Sequence, residues 1–176
     1  EASPAYEAAI ETYKQDVAAA RMAQWRNRCV TGVYEPGSTF KLITLASALD
    51  SGAVTLNDSF YCGGQEKFTG REQILNCWKS AGHGAQTTAQ ALGNSCNIAF
   101  GHIGLRMGGD TFYDYLKSFG VMEKTGVDLP GEASGLFYER KYLNDPANYG
   151  TSYLITSSFG QSFRITPMQL VRAVAA

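Results

Sequence analysis

The 176-residue chain has little charge of either sign. Its 15 Lys and Arg stand against 16 Asp and Glu, a net charge of −1, and charged side chains make up only 18% of it. No Lys/Arg stripe is present, so the electrostatic footprint that DNA or RNA requires is lacking and nucleic acid is excluded as a partner. Histidine is scarce, with only His83 and His102, and the four cysteines Cys29, Cys62, Cys77 and Cys96 form no Cys-x-x-Cys pair. That spacing argues against a structural zinc site, and neither a metal nor another cofactor is expected. No run of about 18 apolar residues occurs, so no segment reads as a transmembrane helix. Glu1-Ala2-Ser3-Pro4 has neither the basic nor the apolar part of a secretory signal. With no starting Met and a final helical segment that stops without a cap, the sequence reads as a piece of a longer protein.

What is present is a core. The hydrophobic fraction of 44% and the aromatic fraction of 12% exclude a disordered or collagen-like chain and predict one domain over residues 1–176. Residues 1–28 form an Ala-rich lead-in whose Ile10, Tyr13, Val17 and Ala20 fall at helical spacing. The run from Ser38 to Gly52 is apolar on nearly every side, as in a short helix buried inside a domain. Phe60, Tyr61, Phe68, Ile74 and Leu75 among glycines predict short strands or a hairpin between Ser59 and Trp78. Cys62 and Cys77 flank its turn and are either a disulfide of an oxidising compartment or two buried thiols. Thr87-x-x-Gln90 and Thr166-Pro167-x-Gln169 are capping boxes. A helix is expected from Asn97 to Met107, stopped by Gly108-Gly109, and another capped by Asp110 with Phe112, Tyr115, Leu116 and Phe119 on its apolar side. From Gly120 to about Thr156 the chain reads as loop. The fold class is thus mainly α with a small β-hairpin.

Chemistry concentrates in Pro36-Gly37-Ser38-Thr39-Phe40-Lys41. Ser38 and Lys41, three apart on a helix, share a face, so the amine can reach the hydroxyl. At the helix N-terminus the dipole favours an oxygen that must become nucleophilic, and burial would lower the Lys pKa until it can accept a proton. Ser-x-x-Lys alone occurs by chance and is a weak signal. Fifty-seven residues beyond Ser38 (95 − 38), however, Asn94-Ser95-Cys96-Asn97 offers a hydroxyl and an amide at a helix break, and Ser-x-x-Lys with a Ser-x-Asn element is a recurrent acyl-transfer pairing.

With Tyr34-Glu35-Pro36-Gly37-Ser38-Thr39-Phe40-Lys41, Gly82-His83-Gly84, Ser95-Cys96-Asn97-Ile98-Ala99-Phe100, Thr125-Gly126-Val127-Asp128-Leu129-Pro130-Gly131-Glu132, Phe159-Gly160-Gln161 and Thr166-Pro167-Met168-Gln169-Leu170 in this order, the chain resembles the transpeptidase domain of class B penicillin-binding proteins. The resemblance runs from about Trp25 to the end; the Ala-rich start departs from it. It implies the helical portion of a penicillin-binding/serine β-lactamase-like α/β domain, with the central sheet and its catalytic Lys-Thr-Gly strand largely outside these residues. By position, Ser38 matches the acylated nucleophile, Lys41 its base, Ser95 the donor to the leaving amine and Asn97 a group that binds substrate amide. The implied partners are the peptidoglycan stem peptide, β-lactam antibiotics and proteins of cell-wall synthesis. The implied location is the extracytoplasmic face of a bacterial cell membrane, reached through an anchor elsewhere in the parent. A serine β-lactamase, a noncatalytic β-lactam sensor and a module that keeps the motif for packing alone are the alternatives.

Two look-alikes are set aside. Lys124-Thr125-Gly126 runs into a Pro- and Gly-containing segment unsuited to a catalytic edge strand. Glu139 to Asn144 resembles a β-lactamase deacylation motif with one residue too many, and a base displaced in that way misses its water. His83 reads as a loop hydrogen-bonder, His102 as a core or surface side chain, and Trp25 and Trp78 as core or groove residues.

Overall fold

A computed structural model describes residues 3–145 and 149–176. Helix dominates it, as the sequence predicts, with small antiparallel pairings beside it. Helix α1 (Pro4–Trp25) is capped by Ser3 and begins on proline but buries none of its residues. Helix α2 (Arg28–Thr31) follows and sinks Val30 into the interior. A 3-10 turn, Gly37–Phe40, then leads without a break into α3 (Lys41–Asp50).

Strand β1 (Ser59–Cys62) pairs with β4 (Gly84–Thr87), and the shorter β2 (Gln65–Glu66) and β3 (Leu75–Asn76) pair inside that loop. The expected hairpin between Ser59 and Trp78 is therefore nested. The outer partner of β1 is a strand that the sequence reading missed, because Gly84-Ala85-Gln86-Thr87 lacks the aliphatic alternation of a strand. Thr87 ends β4 and also caps α4 (Thr88–Gly93) through the reciprocal Thr87/Gln90 capping box.

Helices α5 (Asn97–Met107) and α6 (Gly109–Ser118) fall where the periodicity put them. Asp110, however, lies in the first turn of α6 rather than at its cap, because Gly108 at φ +76° breaks the chain there and takes the cap position, so that α6 starts at Gly109. The segment read as loop contains α7 (Arg140–Leu143) and α8 (Gly150–Ser157), a correction of some weight since Leu154 and Ile155 of α8 belong to the core. Helix α9 (Pro167–Ala175) carries the second capping box, Thr166 with Gln169.

The core is built where α3 and α8 close on α5. Phe40, Ile43 and Ala48 meet Ile98, Ala99, Phe100 and Ile103, with Leu154, Ile155 and Phe159 beyond. Close approach of α5 to α8 depends on Gly104: a Cβ there would stand 2.7 Å from the Ser158 Cβ. Ser158 is itself buried and donates to Phe100 O at 2.7 Å. The segment before α9 is bridged on one side to the entry of the 3-10 turn, Tyr34 with Ile165, and on the other to the segment before α7, Leu136 with Arg164. Among the described residues no helix is long and apolar enough to cross a membrane.

Candidate active site

Pro36 to Lys41 makes a tight entry into α3. Gly37 takes φ +58° and donates its N–H to Gly160 O at 2.8 Å, while Gly160 sits at φ +84° with no room for a Cβ, which would overlap the Gly37 carbonyl. The Phe159-Gly160-Gln161 segment is thus the outer clamp on the turn that presents Ser38. Ser38 is exposed, and Lys41, one turn on, is only 1% exposed.

The fold brings all four sequence-predicted residues together on the Lys41 amine. Its Nζ lies 3.2 Å from Ser38 Oγ, 3.0 Å from Ser95 Oγ, 2.7 Å from Ser95 O and 2.8 Å from Asn97 Oδ1, with the Phe100 ring 5.4 Å away. An ammonium has three protons for these four oxygens. The longest contact, to Ser38, is the one that can reverse, with the hydroxyl donating to a neutral amine. Burial, the largest influence, lowers the Lys41 pKa from 10.5 to about 8, and the nearby Cys96 and Cys77 thiols oppose the shift. At pH 7 about a tenth of such a lysine is neutral, enough to serve as a base.

Ser95 reaches Lys41 with both oxygens because its backbone is left-handed, φ +49°, a conformation that costs a non-glycine residue about 1–3 kcal/mol. Asn97 opens α5. Cys96, between them, turns the other way: buried, it caps α5 by accepting from Ala99 N–H at 3.5 Å. Behind this segment Asn94 donates to Gln86 Oε1 at 2.9 Å, and the Trp78 indole N–H donates to Asn94 O at 3.0 Å. Sequence reasoning missed this support. Trp78 is 66% exposed rather than part of the core, and Trp25 on α1 is exposed too. The signal available for Trp78 was the polar N–H of an indole that needs a partner when one face is wet.

The look-alike motifs lie elsewhere. Thr125 N–H, Thr125 Oγ1–H and Gly126 N–H all donate to the Glu132 carboxylate, a closed loop that leaves Lys124 exposed. The Thr125 hydroxyl foremost holds that carboxyl below its usual pKa. Glu139 pairs with Lys141, and Asn144 bonds Asp110 on α6. Among the described residues no carboxylate is bonded to Ser38 or Lys41. His102 pairs with Glu66 at 2.8 Å.

The fold gathers the cysteines in a way their spacing hides. All four are free thiols, so of the two states open to Cys62 and Cys77 the structure has the buried, unbonded one. The ligand atoms of Cys62, Cys77, His83 and Cys96 nevertheless all lie within 4.8 Å of one another. The spacing of local pairs does not show this grouping, which arises only in the tertiary structure. His83 is the loop hydrogen-bonder that was expected, its Nδ1 facing Cys77 Sγ at 3.7 Å.

A serine and a buried lysine that share a second hydroxyl and an amide define a class of acyl-transfer site, here on a mainly helical domain. The family described as penicillin binding protein transpeptidase domain matches residues 4–176, and the chain belongs to that family. It is 43% identical over 152 residues to stage V sporulation protein D of Bacillus subtilis (strain 168), across 86% of this chain and 22% of that protein. Against the peptidoglycan D,D-transpeptidase MrdA of Acinetobacter baumannii it is 35% identical over 152 residues, across 85% of this chain and 23% of that protein. The crystal structure of Pseudomonas aeruginosa PBP2 in complex with WCK 5153 superposes with a TM-score of 0.76 at 26% identity, covering 85% of this chain and 33% of that one. The chain thus spans less than a quarter of the length of these two curated relatives.

Proposed function

We propose that the protein carrying this chain is a serine-type D,D-transpeptidase that crosslinks peptidoglycan stem peptides through an acyl-enzyme on Ser38. One observation carries the reading: the Lys41 amine, buried and lowered toward neutrality, touches both the Ser38 and the Ser95 hydroxyls. Neutral Lys41 takes the Ser38 proton as Oγ attacks the carbonyl of the penultimate D-Ala. Ser95 passes a proton to the departing D-Ala amine and recovers one from Lys41. Asn97, with Oδ1 engaged by Lys41, presents its amide N–H to a substrate carbonyl. An amine from a neighbouring strand then attacks the ester and frees Ser38.

Penicillins acylate the same serine and stall; among the described residues no carboxylate is bonded to Ser38 or Lys41, where it could activate a hydrolytic water. The reaction takes place on the outer face of the bacterial cell membrane, where peptidoglycan lies. The test is release of D-Ala from a stem pentapeptide with an amine acceptor by the full-length protein. Release is expected from wild type and absent from Ser38→Ala; release that persists in Ser38→Ala overturns the assignment. Sustained penicillin hydrolysis in place of a single slow turnover would assign a β-lactamase.

A further inference from the structure

We propose that the groove beside the free edge of β1 is a docking site for an extended peptide segment of a partner protein, which adds to β1 as an antiparallel strand and turns a carboxylate toward Arg106. The groove has a volume of about 440 Å³ and lies apart from Ser38 and Lys41. It is lined by Ser59, Phe60 and Tyr61 of β1, by Glu66 of β2 and by His102 and Arg106 of α5.

The register of the β1–β4 pair fixes which backbone groups face the groove. Thr88 N–H donates to Asp58 O at 2.9 Å, and with Ser59 opposite Thr87 this makes Asp58 and Thr88 a directly opposed, bonded pair. Bonded and unbonded pairs alternate along an antiparallel ladder, so Phe60 and Cys62 bond to β4. The N–H and C=O of Ser59 and Tyr61 point the other way, and among the described residues no hydrogen bond engages them. Donor and acceptor thus recur two residues, about 6.8 Å, apart along the edge. That is the repeat of an extended polypeptide backbone, which can answer every one of the four groups; a sugar strand has no such alternation.

The side chains around the edge set the chemistry of the added strand. Ser59 and Tyr61 are exposed and Phe60 is buried, as the alternation of a strand requires. A partner residue bonded to Ser59 or Tyr61 therefore keeps its side chain on the outer face, and the residue between, opposite Phe60, turns inward. There it meets Arg106, whose guanidinium lies 4.6 Å over the Phe60 ring and, among the described residues, uses only Nη1, 3.0 Å from Asp58 Oδ2. Nε and Nη2 are left to bond an incoming carboxylate. The acceptors nearby are engaged: Asp58 also takes the Thr55 hydroxyl at 2.6 Å, and Glu66 is paired with His102 at 2.8 Å. An inward cation would have to compete with Arg106 and His102 for them, whereas an inward carboxylate finds free donors. Because the edge lies in a concavity, a lone extended segment fits it, and a second copy, with the same walls around its own edge, does not.

The test is fluorescence anisotropy of the full-length protein with a labelled heptapeptide, Thr-Val-Thr-Glu-Thr-Val-Thr, whose central Glu is the inward residue. Saturable binding is expected, and it should survive acylation of the protein by penicillin, which keeps the result independent of what the Ser38 site does. Methylating the backbone nitrogens of the third and fifth residues, which face β1, should weaken binding at least about tenfold, while methylating that of the central Glu, which faces away, should not. These peptides probe the edge without altering the protein. Tyr61→Pro removes an N–H from the free edge and no bond to β4, and Arg106→Gln keeps the edge and removes the guanidinium; each, checked for native circular dichroism, should weaken binding about tenfold or more. Arg106→Gln should cost nothing further once the Glu of the peptide is Gln. Absence of saturable binding to wild type overturns the proposal, as does binding undiminished by methylation at the third and fifth residues or lost on penicillin acylation. Displacement of the heptapeptide by a peptide-free N-acetylglucosamine tetramer would overturn it too, by assigning the groove to a sugar strand.

Discussion

Replacing Lys41 with methionine keeps the length of the side chain and removes its charge, and the structure sets opposing magnitudes for the result. Folding lowers the Lys41 pKa from 10.5 to about 8, so the buried cation is disfavoured by about 3 kcal/mol at neutral pH. Against this stand the hydrogen bonds of an amine surrounded by four oxygens, each worth about 1 kcal/mol net for the three protons that can be used. The two nearly cancel, and Lys41→Met should fold within about 1 kcal/mol of wild type at pH 7. The pH dependence separates them. Because the folded pKa lies below the unfolded one, the unfolded chain binds the extra proton between about pH 8 and 10.5, and wild-type stability gains from Lys41 as pH rises through that window. From pH 7 to 9.5 the gain is about 2 kcal/mol, and Lys41→Met lacks it. Urea denaturation at the two pH values measures the difference between variant and wild type, which cancels other titrations. In the full-length protein the same substitution should slow β-lactam acylation by roughly 100- to 10,000-fold, the usual contribution of a general base. Equal pH slopes for the two proteins, or acylation slowed by less than about tenfold, would refute the reasoning.

Three further outcomes follow from the same geometry. The acylation rate of the full-length protein should climb from pH 6 and level off above about pH 8, as Lys41 loses its proton; a flat profile in stopped-flow measurements would remove Lys41 as the base. Gly160→Ala adds a Cβ at φ +84° against the Gly37 carbonyl, and a loss of about 2–4 kcal/mol is expected in thermal or urea unfolding. In Gly104→Ala, crowding of Ser158 at 2.7 Å should outweigh the better helix propensity of alanine, for a net loss of about 1–2 kcal/mol; a stabilised variant would show that α5 and α8 can part without cost.

The parts legible in the sequence were those set by local rules. Ser38 and Lys41 are one helical turn apart, and both Thr-x-x-Gln capping boxes form as read. Ser95 and Asn97 needed the family resemblance, because nothing local to Asn94-Ser95-Cys96-Asn97 says that a left-handed Ser95 turns two oxygens toward a lysine 54 residues away. Helix α8 escaped notice since Gly150, Thr151 and Ser152 look like loop and its cap, Tyr149 at φ +62°, uses no side-chain acceptor. The Cys/His cluster was illegible for a different reason. Its members come from β1, the segment after β3, the turn before β4 and the cap of α5, which the β1–β4 pairing, the Cys77 N–H to Gly64 O bond and the close approach of Gly64 and Gly82 bring together.

The central claim is that Ser38, poised on the Lys41 amine, is the nucleophile. Peptide mapping by mass spectrometry after brief exposure of the full-length protein to a penicillin tests it directly. The account predicts one added penicillin mass, confined to the peptide that contains Ser38 and missing in Ser38→Ala. An adduct on another residue, or one that survives Ser38→Ala, would contradict it.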